Sequence, residues 1–133
     1  TFDSGILFGT GNATLSASAQ SSLRKFATDV LVPNSDMDVS IMGYTDNQGW
    51  RNSTADQSRE KNQALSYQRA QSVSNYLMQS GARSSQIREV KGLGEDFPVA
   101  DNSTTMGKQQ NRRVEVYLYA SQQMIKNAEA QAR

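Results

Sequence analysis

Two hydrophobic periods alternate along this sequence, and that alternation restricts the fold more than any other feature. Apolar residues recur at helical spacing over residues 19–31 and again from about Arg59 to Ser80. Between these segments, residues 37–42 follow the two-residue period of a half-buried strand. Shorter strand-like runs occur at residues 6–8, 87–90 and 114–118. The chain therefore combines both element types within one domain.

The predicted order is strand, helix, strand, helix, strand, loop, strand. Each strand–helix–strand unit implies a parallel pair with a right-handed crossover. We predict an α+β fold, a two-layer β/α/β/α/β-β sandwich whose mixed four-stranded sheet carries two main helices on one face. Ser16 should cap the first helix, and Ser103 should cap a short helix around Met106. Residues 1–120 would form this domain, and residues 121–133 a polar C-terminal tail with a weak helical pattern.

Missing residue types narrow the chemistry. The chain has no His and no Cys, which removes the commonest general base, the thiolate nucleophile and the commonest transition-metal ligands. Lys+Arg 14 against Asp+Glu 13 give a net charge of +1, which disfavours a nucleic-acid partner. We expect no enzyme activity, no cofactor and no metal site. No apolar run reaches the roughly 20 residues of a membrane-spanning helix, so membrane association would come only from an N-terminal part of the parent protein.

The second helix contains an arginine where an apolar residue is expected. On a helical wheel Arg69 falls about 40° from Leu65, within the stripe that should face the sheet. A buried guanidinium must be hydrogen-bonded because it stays charged. Arg69 is therefore a structural salt-bridge partner, a side chain that reaches the rim, or a cation held for an anionic ligand. Periodicity alone leaves these readings open.

The loop that follows the second strand is the natural place for a ligand. Thr45 and Asp46 lie where the chain leaves the carboxyl end of that strand, which is the usual ligand edge of such sheets. An ordinary Asx-type turn would also explain Asp46. If Asp46 and Arg69 share a pocket, the pair would suit a zwitterion, with the ligand carboxylate on Arg69 and its ammonium on Asp46.

Three motifs in a fixed order form the most specific signal. They are Gly43-Tyr44-Thr45-Asp46-Asn47-Gln48-Gly49, then Asn62-Gln63-Ala64-Leu65-Ser66 with Arg69-Ala70, then Asn111-Arg112-Arg113-Val114. Together they resemble the OmpA-like peptidoglycan-binding domains, which carry Gly-His-Thr-Asp-x-x-Gly, Asn-x-x-Leu-Ser-x-x-Arg-Ala and Asn-Arg-Arg-Val. The resemblance runs from about Leu7 to Tyr119, and several spaced motifs are far more specific than one short match.

This resemblance implies a function. Domains of that family bind peptidoglycan non-covalently through meso-diaminopimelate in the stem peptide. They anchor outer-membrane proteins or lipoproteins to the wall, at the periplasmic face of the outer membrane in Gram-negative bacteria. The family's key acid and base correspond to Asp46 and Arg69, which would hold the amino-acid end of the ligand. The remaining matched pocket positions are Thr45, Asn62, Arg112 and, through its backbone, Gly11.

Two departures from the family pattern stand out. Tyr44 replaces the usual His, which should change a neighbouring hydrogen bond and leave Thr45 and Asp46 in place. The spacing between Asp46 and Arg69 is also longer, with extra residues between about Trp50 and Lys61. This insertion could form a lid, contact glycan, reach a partner or be a neutral surface loop, and Trp50 is the candidate for sugar stacking.

Two other functions stay open on the sequence. The module could dock a protein in a motor stator or a secretion assembly, where this family also occurs. It could instead be a peptidoglycan hydrolase that pairs Asp46 with Glu60 or Glu95, since glycosidases place two carboxylates across a cleft.

Overall fold

The computed structural model describes residues 6–9 and 11–120 of the chain. Its elements are β1 (Ile6–Leu7), α1 (Ala17–Phe26), a π-helical continuation (Ala27–Leu31), β2 (Met37–Gly43), α2 (Ala55–Gln79), a 3-10 turn (Ser84–Gln86), β3 (Ile87–Gly92), α3 (Thr105–Asn111) and β4 (Arg113–Ala120). This order confirms the predicted α+β sandwich. The predicted tail at 121–133 lies outside the described residues.

The sheet has four strands in the order β1-β4-β2-β3. β2 and β3 are parallel, as the crossover through α2 predicts, and β4 is antiparallel to both β1 and β2. β1 and β2 therefore run in the same direction with β4 between them. At one edge, Gly43 of β2 lies opposite Gly92 of β3 and Val114 of β4. The loops that leave β2 and β3 meet the start of β4 there.

One hydrophobic core joins the sheet to the helices. Val39 and Ile41 of β2 alternate with residues of the opposite face and are fully buried. They pack in a single cluster with side chains from α1, its π-helical continuation, α2 and β4, including Leu23, Leu31, Val73, Leu77, Val114 and Val116. Burial of each large side chain stabilises the fold by about 1.5–3 kcal/mol relative to exposure. This core fixes where α2 crosses the sheet.

The second helix begins at Ala55, four residues before the predicted start near Arg59. Its start is a capping box: the Thr54 hydroxyl accepts from the amide of Gln57 at 3.1 Å, and the Gln57 side chain accepts from the amide of Thr54 at 2.9 Å. The first turns are polar and mostly exposed, so they carry no hydrophobic period. Much of the predicted insertion is therefore helix, preceded by a short loop.

The two other caps give one confirmation and one correction. The Ser16 hydroxyl accepts from the amide of Ala19 at 3.1 Å, as predicted. The short helix is capped by Thr104 rather than by Ser103, because the Thr104 hydroxyl accepts from the amide of Gly107 at 2.9 Å.

Among the helices of the described part of the chain, none is long and apolar enough to cross a membrane.

Two glycines let α2 lie directly on the sheet. A Cβ atom at Gly43 would overlap the carbonyl oxygen of Ser66, and a Cβ atom at Gly92 would overlap the backbone nitrogen of Tyr67. Only glycine permits this approach of helix backbone to strand backbone. It brings Arg69, about one turn beyond Ser66, within reach of the end of β2.

Candidate functional site

A cavity of about 160 Å³ opens at the sheet edge where β2 and β3 end and β4 begins. All six residues that the sequence singled out line it: Gly11, Thr45, Asp46, Asn62, Arg69 and Arg112. The other lining residues are Gln48, Gly49, Trp50, Arg51 and Leu65. Residues from the β1–α1 loop, the β2–α2 loop, α2 and the start of β4 thus meet in one place.

Asp46 forms an ion pair with Arg112, not with Arg69. Its Oδ2 accepts from Nη1 of Arg112 at 2.7 Å, and its Oδ1 accepts from the amide of Gln48 at 3.0 Å. The second bond is the Asx turn that the loop sequence also predicted. Asp46 is 4% exposed, so its carboxylate is held in one orientation at the cavity wall.

Arg69 is bonded to three backbone carbonyls. Its Nε, Nη1 and Nη2 donate to the carbonyl oxygens of Asn12, Tyr44 and Gly9 at 2.9, 3.0 and 2.9 Å. The side chain is 1% exposed, so it does not reach the rim, and it has no carboxylate partner among the described residues. These bonds join α2, the end of β2 and the β1–α1 loop. A guanidinium has five N–H donors, and these carbonyls use three.

Three consecutive residues, from the end of α3 to the start of β4, have three separate tasks. The Asn111 side chain accepts from the amides of Val99 and Ala100 at 2.8 and 3.0 Å and so shapes the β3–β4 loop. Arg112 turns into the cavity, where its Nε donates to the carbonyl of Phe8 at 3.0 Å and its Nη1 to Asp46. Arg113 points to the other face of the sheet. The Asn-Arg-Arg motif therefore places one of its two arginines at the site.

Arg113 and Tyr44 form the support behind the site. The guanidinium carbon of Arg113 lies 3.8 Å from the centroid of the Tyr44 ring, a cation–π contact. Burial, followed by the negative charge of Glu115, raises the pKa of Tyr44 above its ordinary value. Tyr44 thus takes the place of the family's usual histidine as a buried ring, and its carbonyl is one of those that hold Arg69.

Thr45 and Gly11 are two further polar or backbone contributors to the lining of the cavity. The Thr45 hydroxyl donates to the carbonyl of Asp46 at 2.9 Å, and its amide donates to the carbonyl of Gly94 at 2.9 Å. Gly11 has a φ of 70°, in the left-handed region that glycine adopts without strain. It turns the β1–α1 loop back toward Arg69, beside the carbonyls of Gly9 and Asn12.

The cavity has more positive than negative charge. Its lining contains the three arginines Arg51, Arg69 and Arg112 and one acid, Asp46. Burial lowers the pKa of Arg69 to about 10, with Arg112 acting in the same direction and Asp46 opposing it. Arg69 is therefore charged at neutral pH. The arrangement suits a ligand that presents a carboxylate to the arginines and an ammonium to Asp46.

The other acids that the hydrolase hypothesis named lie elsewhere. Neither Glu60 nor Glu95 lines the cavity, and Glu95 lies 4.0 Å from Nε of Arg59. Within the described ranges no group of three or more acidic side chains is placed to hold a metal ion. Asp46 is the single carboxylate among the described residues that line the cavity.

Sequence reasoning missed part of the cavity. It assigned no ligand role to Gln48, Arg51 or Leu65, and it treated Trp50 as a surface residue for sugar stacking. Trp50 instead lines the cavity and donates its indole N–H to Oδ1 of Asn62 at 2.8 Å. The Thr54-x-x-Gln57 pattern could have revealed this contact. It is typical of a capping box, which starts the helix at Ala55, and a helix with that start orients Asn62 toward this loop.

Comparison with known proteins agrees with the fold. The model of the OmpA family matches residues 7–112. The chain is 37% identical over 115 residues to the outer-membrane lipoprotein YfiB of Pseudomonas aeruginosa, covering 86% of this chain and 62% of that protein. It is 40% identical over 111 residues to the peptidoglycan-binding protein ArfA of Mycobacterium tuberculosis, covering 84% of this chain and 31% of that protein.

A solved structure shows the same architecture. The peptidoglycan-associated lipoprotein from Burkholderia pseudomallei superposes with a TM-score of 0.76 at 26% sequence identity, covering 86% of this chain and 89% of that chain. The chain spans less than two thirds of the curated relatives YfiB and ArfA. Because the family model covers most of the described residues, the chain belongs to the OmpA family.

Proposed function

We propose that this chain binds peptidoglycan non-covalently through the diaminopimelate residue of the stem peptide. In this role it anchors a parent outer-membrane protein or lipoprotein to the cell wall, at the periplasmic face of the outer membrane. One observation carries the proposal: the buried Arg69 and the ion pair of the buried Asp46 with Arg112 meet in a single small cavity. The names of two relatives, a peptidoglycan-binding protein and a peptidoglycan-associated lipoprotein, support peptidoglycan as the polymer that is bound.

Each proposed contact follows from the free bonding capacity of the residue. The unused N–H donors of Arg69 and the guanidinium of Arg112 would bind the ligand carboxylate. Asp46 would accept from the ligand ammonium, and Thr45, Asn62 and Gly11 would complete the polar wall of the pocket. Charge-assisted hydrogen bonds of this kind each contribute about 1.5–3 kcal/mol. A few of them suffice for a reversible anchor.

Binding without turnover fits the cavity better than hydrolysis does. A glycosidase needs two carboxylates across the cleft, and Asp46 is the single acid among the lining residues. YfiB and ArfA, the relatives compared above, are named as a lipoprotein and a binding protein, and neither name is that of an enzyme.

Co-sedimentation with purified sacculi that contain diaminopimelate tests the proposal. Wild-type protein should sediment with sacculi, and Asp46→Ala should stay in solution while keeping its circular dichroism spectrum. Glu60→Gln is the matched control, because Glu60 is exposed and lies outside the cavity. Sedimentation of Asp46→Ala at the wild-type level would refute the site, and release of soluble muropeptides by the wild type would favour the hydrolase instead.

A further inference from the structure

Trp50 is fixed at the mouth of the cavity by two residues of α2. Its indole N–H donates to Oδ1 of Asn62 at 2.8 Å, and its backbone amide donates to the hydroxyl of Ser58 at 2.9 Å. Ser58 and Asn62 lie one helical turn apart and are 7% and 3% exposed. The position of Trp50 is therefore set before any ligand arrives.

The Asn62 amide is occupied at both ends by the same loop. While its Oδ1 accepts from Trp50, its Nδ2 donates to the carbonyl of Gln48 at 3.3 Å. Each end of the amide keeps one further position, a second N–H and a second lone pair, but both ends are already tied to the loop. In this chain the main role of Asn62 is therefore to hold the β2–α2 loop in place.

The Trp50 ring has a charged neighbour on one side and the cavity on another. Nζ of Lys61 lies 5.8 Å from the ring centroid, and Lys61 is not a lining residue. Leu65, three residues beyond Asn62 on α2, does line the cavity. Trp50 and Leu65 are the two large apolar side chains of the lining. They form an apolar part of the pocket beside the charged part at Asp46, Arg69 and Arg112.

We infer that Trp50 is a specificity-determining contact for the aliphatic stretch of a diamino acid, and that Asn62 is its positioning residue. This inference rests on the proposed function and adds the chemistry of the second half of the ligand. The charged residues bind the zwitterionic end, while Trp50 and Leu65 exclude water from the methylene groups that follow it. The assignment differs from sugar stacking, because Trp50 lines the same cavity as Asp46, Arg69 and Arg112.

The chain carries its own reporter for this contact, since Trp50 is its single tryptophan. The full chain is titrated with free meso-diaminopimelate, followed by intrinsic fluorescence and by calorimetry. The wild type should bind with a change in Trp50 emission. Trp50→Ala should bind roughly tenfold more weakly, which corresponds to lost contact with about two methylene groups. Trp50→Phe, which keeps a ring, should stay within about threefold of the wild type.

Asn62 is tested by a double-mutant cycle. Asn62→Ala should weaken binding and shift the emission of Trp50 in the free protein. Added to Trp50→Ala, it should cause no further loss, because a positioning residue acts only through the residue it positions. Losses that add would show that Asn62 contacts the ligand itself and would overturn its positioning role. Tyr67→Ala is the matched control, an aromatic side chain on α2 that is 45% exposed and lies outside the lining.

The outcomes separate this inference from the proposed function. Calorimetric binding with unchanged fluorescence, and with Trp50→Ala as tight as the wild type, would overturn the role of Trp50 and leave the proposed function standing. Absence of any calorimetric binding of meso-diaminopimelate to the wild type would overturn both.

Discussion

The carboxylate of Asp46 is paired with the guanidinium of Arg112 at 2.7 Å in a cavity that also contains the buried Arg69. The side chains of the pair are 6% and 13% exposed, with Asp46 the more buried. The zwitterionic ligand that we propose would therefore meet an acid that is already paired with a base. It would share this pair, with its ammonium on Asp46 and its carboxylate on Arg112.

The Asp46–Arg112 pair should show a measurable coupling energy. In a double-mutant cycle of Asp46→Asn and Arg112→Gln, urea unfolding should give an interaction of about 1–3 kcal/mol, because either single change leaves a buried charge without its partner. The exposed ion pair of Arg59 with Asp96 is the matched control and should couple more weakly, because solvent screens it. Equal couplings for the two pairs would show that the buried pair contributes nothing special.

Arg69 should be required for stability as well as for binding. Arg69→Lys keeps the charge but cannot reach three separate carbonyl oxygens, so the free energy of unfolding should fall by about 2–4 kcal/mol. Arg51→Lys, an exposed change at the same cavity, should alter it by no more than about 0.5 kcal/mol. Chemical denaturation measures both. An unchanged midpoint for Arg69→Lys would mean that the carbonyl contacts carry little energy.

The close approach of α2 to the sheet should not tolerate a methyl group at Gly43. Gly43→Ala places Cβ against the carbonyl of Ser66, so the helix must move and stability should fall by about 1–3 kcal/mol. Sacculus binding should weaken with it, because Arg69 follows on the same helix. Gly49→Ala is the control within the β2–α2 loop, since its Cβ would lie 3.7 Å from Oγ of Ser58, an ordinary contact. Similar stabilities for the two variants would contradict the steric argument.

The capping box at the start of α2 should support the mouth of the cavity. Thr54→Ala should cost about 1 kcal/mol of stability, and Thr54→Ser, which keeps the accepting hydroxyl, a few tenths at most. Fraying of this turn would also release Ser58 from the amide of Trp50. Fluorescence anisotropy of Trp50 should therefore decrease in Thr54→Ala and not in Thr54→Ser. A rigid Trp50 in both variants would show that the loop is held independently of the cap.

Tyr117 of β4 should titrate only in strong alkali. The hydrogen bond to Glu115, followed by burial, raises the pKa of Tyr117 from 10.0 to about 12. Because the folded pKa lies above the unfolded value, this contribution to stability is complete below pH 10 and is lost as the pH rises through about 12.

The tyrosinate absorbance of Glu115→Gln tests this assignment. The late phase of titration should move toward the ordinary tyrosine pKa in that variant, because the charged acceptor is gone. Glu89→Gln on β3, which β2 separates from β4, is the control and should leave the late phase in place. Persistence of the late phase in Glu115→Gln would assign it to burial alone.

The sequence predicted the elements of this fold because their hydrophobic periods are strong. Val39 and Ile41 alternate as a strand must, and among the polar residues that interrupt the stripe of α2, the charged Arg69 marks the site. The sequence could not predict what Arg69 bonds, because the carbonyls of Gly9, Asn12 and Tyr44 come from segments brought together only by the fold. For the same reason it matched Asp46 with Arg69, whereas the acid pairs with Arg112.

The start of α2 was missed for a different reason. Its first turns face solvent, so hydrophobic periodicity contains no information there, and only the Thr54–Gln57 cap marks the beginning. That misplacement made Trp50 look like part of a long loop. With the helix extended to Ala55, Ser58 and Asn62 fall on the side that holds Trp50, and the cavity gains its apolar wall.

The hydrogen bonds of Arg69 limit how the sequence of such a domain can diverge in evolution. One side chain lines the pocket and also ties three segments of the scaffold, so replacing it to suit a new ligand would weaken the fold as well. Trp50 and Arg51 come from the β2–α2 loop, outside that constraint. Directed evolution of this domain toward other cell-wall ligands should therefore accumulate accepted changes at Trp50 and Arg51 and keep Arg69.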